Sequence, residues 1–415
     1  MAIKQVILHL GMAKTGSSSI QDTLFHNTVT LEKFGFRYLT EWGVNHIVKL
    51  RNLFSQNPSS PTGTEHLGKP VINIKRKNKE SIETMLQAIR TTECETLILS
   101  GEYFHELFLD STIENIKQFI NKYFQCNGIE CTIVYFVRNP LTWLISSLQQ
   151  QVFQYGYLNK NCDYFETRMK QYEGVFNLKK HFSDSLTLLK FEDACIDKDG
   201  LPGCFLKSIG FPEGELNNIN ILRVNESRCM EVMELVNYIE TVEPLYPYDN
   251  YRRFNPHRTA TKKDLGLWHY LKDIKGIKYD LPHQSKLELW DRFSKTVKLL
   301  KENTGIDYVD YTPPLVPAQE TYSEETIEGF IKSFPKLNFT LRKHFLKFFE
   351  KKYMETAQVK FKQLHFKDSI PWKIYNSEKA FQGISHLLNF KKLQENLMFR
   401  KIKKRLKRIY WRTRG

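Results

Sequence analysis

Two short stretches carry residue types suited to holding anions. In the first, Gly11-Met12-Ala13-Lys14-Thr15-Gly16-Ser17-Ser18-Ser19, small residues let the backbone curl so that successive N–H groups face inward. A helix opening at its end adds partial positive charge, and three serine hydroxyls and one ammonium complete an anion site. The spacing G-x-x-x-x-G is that of a nucleotide P-loop, but Ser17-Ser18 stand where Lys followed by Ser or Thr is expected. The lysine lies two residues before the second glycine instead, and a plain glycine–serine turn is the competing reading. The second stretch is Val137-Arg138-Asn139-Pro140-Leu141-Thr142-Trp143-Leu144-Ile145-Ser146. A guanidinium at a strand's end and a hydroxyl eight residues on, nearly two turns into a helix, could hold a second phosphate, with bidentate contact from the arginine. Here the competing reading is an arginine capping a loop and a serine packed against a neighbour.

These side chains serve only if strands and helices aim them at one place. The apolar run within 4–10 predicts a strand before the first stretch, and 17–26 a helix after it. Residues 96–100 (TLILS), 131–137 (CTIVYFV) and 185–191 (SLTLLKF) are three more strand candidates. Helical patterns over 111–124 and 140–153 follow the middle two, which argues for βαβ units and a parallel sheet. Arg138 then emerges at a strand's carboxyl end, the edge where parallel sheets bind ligands. Pro140 suits the first turn of a helix, where its missing N–H costs nothing. Beyond 200 helical patterns dominate, notably over 226–241, and the proline-rich 312–319 is a plausible boundary. Residues 55–70 read as a loop. The expected organisation is an α/β domain over 1–310 and a helical, basic extension over 311–415.

The chain has 415 residues, 41% apolar, 13% aromatic and 26% charged, which excludes a largely disordered polymer. The net charge of +15 is uneven: 391–415 hold eleven Lys or Arg against one acid, Glu395, so ten of the fifteen positive charges sit there. The body is only mildly basic, and a chain-wide nucleic-acid groove is not indicated. Leu393, Leu397, Ile402, Leu406 and Ile409 recur at helical steps within the tail. A basic amphipathic terminus suits an anionic membrane surface or an acidic partner. Seven cysteines, with no C-x-x-C spacing, point away from a structural zinc or disulfide framework and toward a reducing cytoplasm. The first residues lack the pattern of a signal peptide.

As an ordered pair, each behind a strand, the two stretches resemble those of the sulfotransferases that use 3′-phosphoadenosine 5′-phosphosulfate, particularly the bacterial and carbohydrate-directed branches. LHLGMAKTGSSSIQ is similar to the family's 5′-phosphosulfate loop and VRNPLTWLISS to its 3′-phosphate motif. ILSGEYF, LLKFEDA with FLKSIGF, and VNESRCMEVMELV also look like bacterial members. The resemblance implies a central parallel sheet flanked by helices, P-loop nucleotide-kinase-like, using no metal. It implies that Lys14 contacts the transferring sulfuryl group, and that Thr15, Gly16, Ser17 and Ser18 hold the 5′-phosphosulfate with Ser19 assisting. Arg138 and Ser146 would hold the 3′-phosphate. For the base that takes the acceptor's proton, Glu102 is the first choice and His105 the second. The acceptor implied is a carbohydrate or another hydroxyl compound; Trp42, Trp143, Tyr155 and Tyr157 could stack on sugar, though core is the favoured reading for most. Two other classes stand beside this one: an atypical P-loop nucleotide kinase or nucleotidase, and a binding protein acting through its basic tail.

Overall fold

The structure is a computed structural model that describes residues 2–54, 71–102, 107–155, 162–222, 228–242, 271, 273–315, 322–333, 344–345 and 347–349. The tail at 391–415, the expected loop at 55–70 and His105 lie outside these residues. The chain divides into two compact units, one of 1–151, 158–227 and 280–316, the other of 152–157, 228–279 and 317–415.

The first unit is built on five parallel strands: β1 (Gln5–Gly11), β2 (Phe36–Tyr38), β3 (Thr96–Glu102), β4 (Glu130–Val137) and β5 (Leu186–Lys190). Their order across the sheet is β2-β3-β1-β4-β5. The three middle strands are apolar nearly throughout because both faces are covered. Successive residues point to opposite faces, and the two faces bury into different clusters. Val6, Leu8 and Leu10 join Leu97, Leu99, Ile133 and Tyr135 on one side. Ile7 joins Ile98, Val134 and Phe136 on the other. Strand β2, three residues at the sheet's edge, has no apolar run to announce it and was not among the expected strands.

Helices close each face through residues spaced three or four apart. On the first face stand α3 (Ile47–Phe54), α4 (Val71–Thr91), α5 (Asp110–Tyr123), α6 (Pro140–Tyr155), α7 (Cys162–Phe182) and α11 (His283–Thr304). Ile113, Ile116 and Ile120 of α5 show the spacing, as do Phe293, Val297 and Leu300 of α11. On the second face are α1 (Ser17–His26), α2 (Thr28–Lys33), α8 (Phe191–Ile196) and α9 (Gly200–Ser208), through Ile20, Leu24, Leu31, Ala194 and Phe205 among others. The expected α/β class, with helices on both faces of a parallel sheet, is the observed one.

The strand order creates a crevice. From β1 the chain moves to one side of the sheet, to β2, whereas from β4 it moves to the other, to β5. At such a reversal the connections diverge and leave a gap outside the carboxyl ends of the two adjacent strands. The segments that leave β1 and β4 there begin with the Lys14 loop and with Arg138.

In the second unit, α10 (Met230–Val242) and α12 (Glu324–Ser333) are the described helices. An antiparallel bridge pairs Cys229 with Lys278. Tyr322, Phe330, Phe345 and Phe349 form an aromatic cluster, and the Tyr322 hydroxyl donates to Glu234 at 2.5 Å. Among the described residues no helix is long and apolar enough to cross a membrane.

Candidate active site

The loop after β1 is shaped by its backbone. Lys14 has φ 67° and is the one non-glycine residue with positive φ among those described. The left-handed region costs an L-residue about 1–2 kcal/mol, so the surrounding structure must hold it there. Gly16 follows at φ 69°, where glycine fits without strain. Three successive carbonyls of the turn are engaged by side chains. Thr15 Oγ1 donates to Met12 O at 2.6 Å, the Trp143 indole to Ala13 O at 2.8 Å, and Arg138 Nη1 to Lys14 O at 2.6 Å. Gly16 then precedes α1 and supplies no side-chain cap, so the helix's first N–H groups have no intrahelical partner. Two glycines permit this closeness: a Cβ on Gly11 would lie 2.2 Å from Ser17 Oγ, and one on Gly16 2.2 Å from Leu201 Cδ2.

Ser17 is 1% exposed, and its Oγ has no hydrogen-bond partner among the described residues. A buried hydroxyl normally finds one, and an orphan costs about 1–3 kcal/mol. Beside a helix N-terminus and a lysine, such a hydroxyl fits an anion. The loop residues 14–19 thus suit an anion.

Glu102 reaches the same loop from β3. It ends that strand in register with Gly11 of β1, and its carboxyl group feels both the charge and the backbone of Lys14. Burial raises its pKa above the ordinary carboxylate value, while the Lys14 charge and N–H pull the other way. A carboxyl group so placed can act as a proton acceptor. His9, on β1, is buried, with Nδ1 2.8 Å from Ser100 Oγ, and desolvation lowers its pKa to about 3. It is an uncharged core histidine. Trp42 and Trp143 are buried at 2% and 0% exposure and offer no sugar-stacking floor. Tyr157 lies outside the described residues, and of Tyr155 only the helical backbone is described.

Arg138 leaves the end of β4 held on several sides. Besides the Lys14 carbonyl, its Nε donates to Thr142 Oγ1 at 3.2 Å, and its guanidinium carbon lies 4.7 Å from the Phe191 ring centre. The Tyr172 hydroxyl donates to its backbone carbonyl at 2.8 Å. Burial pulls its pKa down, opposed chiefly by Glu192. Asn139 caps α6, its Oδ1 accepting the N–H groups of Leu141 and Thr142 at 2.9 and 3.3 Å. Ser146, half-buried, stands one turn beyond Thr142 on the same helical face. The two stretches singled out in the sequence therefore touch directly, through Arg138 and the Lys14 carbonyl.

Sequence reasoning gave no role of their own to Glu192, Tyr172 and Tyr308. Glu192 Oε1 accepts from Thr142 Oγ1 at 2.9 Å, both of its oxygens lie within 3.3 Å of the Asn139 N–H, and the Tyr308 hydroxyl lies 2.7 Å from Oε2. An acid one residue past a strand candidate was the available signal for Glu192; Tyr308 had none, because it lies 116 residues away from its partner.

No family model and no curated protein matches the chain. Among solved structures it is similar to a sulfotransferase from Alicyclobacillus acidocaldarius, at 12% identity over 60% of this chain and 98% of that one, with a TM-score of 0.32. It is also similar to retinol dehydratase, in complexes with androsterone and inactive cofactor PAP and with retinol and PAP. There the identity is 15% and the TM-score 0.30, over 74% of this chain and 83% and 84% of those chains.

Proposed function

We propose that this chain is a sulfotransferase that moves a sulfuryl group from 3′-phosphoadenosine 5′-phosphosulfate to a hydroxyl, with a carbohydrate or glycan as acceptor. The observation that supports this reading best is the 2.6 Å hydrogen bond from Arg138 to the Lys14 carbonyl, which joins the two anion pockets on one sheet edge. A donor with phosphates on both the 3′ and 5′ positions needs two such pockets. A nucleoside triphosphate needs one, with its lysine after the second glycine. The displaced lysine therefore favours sulfuryl over phosphoryl transfer.

When bound, the donor supplies an activated sulfuryl group. The loop's N–H groups, that of Thr15 among them, and the hydroxyls of Ser17, Ser18 and Ser19 orient the 5′ end, and the Lys14 ammonium offsets charge growing on the departing 5′-phosphate. Arg138 and Ser146 hold the 3′-phosphate. Glu102 removes the proton from the attacking hydroxyl, since it is the carboxylate that meets the lysine loop. The acceptor class rests on the sequence resemblance. In this reading the enzyme works in the cytoplasm, and residues 391–415 attach it to an anionic membrane surface or an acidic partner. A protein truncated at 390 that stays in the membrane fraction removes that element.

The test is transfer of labelled sulfate from the activated donor into fractionated glycans by the full chain, with 3′,5′-adenosine bisphosphate as competitor. Incorporation blocked by the bisphosphate is expected. Binding of ATP with no preference for the bisphosphate, together with release of phosphate from ATP, defeats the proposal in favour of a nucleotide kinase or nucleotidase.

A further inference from the structure

The supports around Arg138 converge on one carboxylate. The Arg138 Nε–H donates to Thr142 Oγ1, and the Thr142 hydroxyl donates to Glu192 Oε1. Glu192 Oε1 also lies 3.1 Å from the Asn139 N–H at the start of α6, and Oε2 lies 2.7 Å from the Tyr308 hydroxyl. Tyr308 is buried, and its hydroxyl is 3.0 Å from the Val137 carbonyl, the last residue of β4. Carboxylate and phenol thus grip both sides of the two-residue turn that carries the arginine.

This arrangement has a chemical consequence. A guanidinium taken out of water needs a counter-charge, yet a carboxylate paired to it directly would consume the N–H groups that bind phosphate. Arg138 directs its own hydrogen bonds to Lys14 and Thr142 rather than to Glu192. The negative charge acts through the threonine hydroxyl, in a chain whose members polarise one another. Two of the five guanidinium N–H groups are committed in this way, leaving three for an anion.

We propose that Glu192 and Tyr308 are positioning residues that orient Arg138 for the 3′-phosphate of the donor, Glu192 through Thr142 and Tyr308 through Glu192. This rests on the sulfotransferase reading given above. A general structural role and a purely electrostatic one make different predictions. Loss of fold weakens every ligand alike. Removal of a nearby negative charge, acting by charge alone, tightens phosphate binding. Positioning alone weakens the 3′-phosphate contact selectively.

The experiment measures binding of 3′,5′-adenosine bisphosphate and of adenosine 5′-monophosphate to full-length wild type, Glu192→Gln and Tyr308→Phe, with donor KM and kcat alongside. In Glu192→Gln the bisphosphate is expected to bind about tenfold more weakly, while the monophosphate stays within about twofold. Donor KM rises and kcat is largely kept. Tyr308→Phe keeps the charge and the ring, and shifts the same ratio by about threefold; it carries the test if the Glu192 variant does not fold. Equal weakening of both nucleotides, or tighter bisphosphate binding, overturns the positioning role. If wild type discriminates and both variants discriminate equally well, this inference alone fails. A wild type that does not separate bisphosphate from monophosphate overturns the sulfotransferase reading and this inference with it.

Discussion

The loop that carries Lys14 and the turn that carries Arg138 face the same crevice but are made in different ways. The loop is a backbone object. Its shape comes from a left-handed lysine, a left-handed glycine and a second glycine with no room for a side chain. The turn is a side-chain object, with Thr142, Tyr172, Glu192 and Tyr308 reaching it from α6, α7, α8 and the segment after α11. A backbone-built pocket is preformed and is damaged by added bulk. A side-chain-built pocket can be tuned by charge and is damaged by truncation.

Four substitutions break or sharpen this contrast. The largest effect is expected from Lys14→Ala, which should lower sulfate transfer about a thousandfold or more while leaving the fold intact, as read by turnover and circular dichroism. Glu102→Gln comes next, with a loss of about a hundredfold or more in kcat. The wild-type rate should rise with pH through the elevated Glu102 pKa, and the variant should lose that limb. The sign for stability is opposite. Because the folded-state pKa is raised, the folded protein binds that proton more tightly than the unfolded chain does. Wild type should therefore lose stability as pH climbs from the ordinary carboxylate value through the raised one. That contribution should be missing from the melting-temperature profile of the Gln variant.

Arg138→Ala is expected to weaken bisphosphate binding about tenfold to a hundredfold, the scale of lost charge-assisted hydrogen bonds. Titration calorimetry should show a smaller effect on adenosine 5′-monophosphate. An equal loss for both nucleotides would mean that the two pockets are one. The smallest change is Gly16→Ala. Positive φ and the close Leu201 side chain should cost about 1–2 kcal/mol in chemical denaturation, with weaker binding at the 5′ end. If Gly16→Ala were silent, the loop would not be held by its backbone, and the contrast between the two regions would fail.

The same contrast explains what could be read in advance. Helix α1 occupies the span expected of it, 17–26, because its start signal and its apolar spacing are local. Arg138 was legible as the residue leaving β4 because a buried parallel strand is an uninterrupted apolar run. That Glu102 meets the Lys14 loop depends on β3 lying beside β1, a pairing across some ninety residues that no local pattern records. Glu192 with Tyr308 is harder still, since neither type nor spacing links them. Strand β2 escaped for a different reason: three edge residues carry too little periodicity to separate strand from turn. Local chemistry was written in the chain, and long-range adjacency emerged only on folding.

The position of Leu201 beside Gly16 ties the Lys14 loop to ordinary hydrophobic packing. Leu201, on α9, fills the space that a side chain at position 16 would need, so glycine there and leucine on the helix are matched to each other. The loop's close backbone is thus matched to an apolar residue nearly two hundred positions downstream, one that no inventory of polar groups would have flagged.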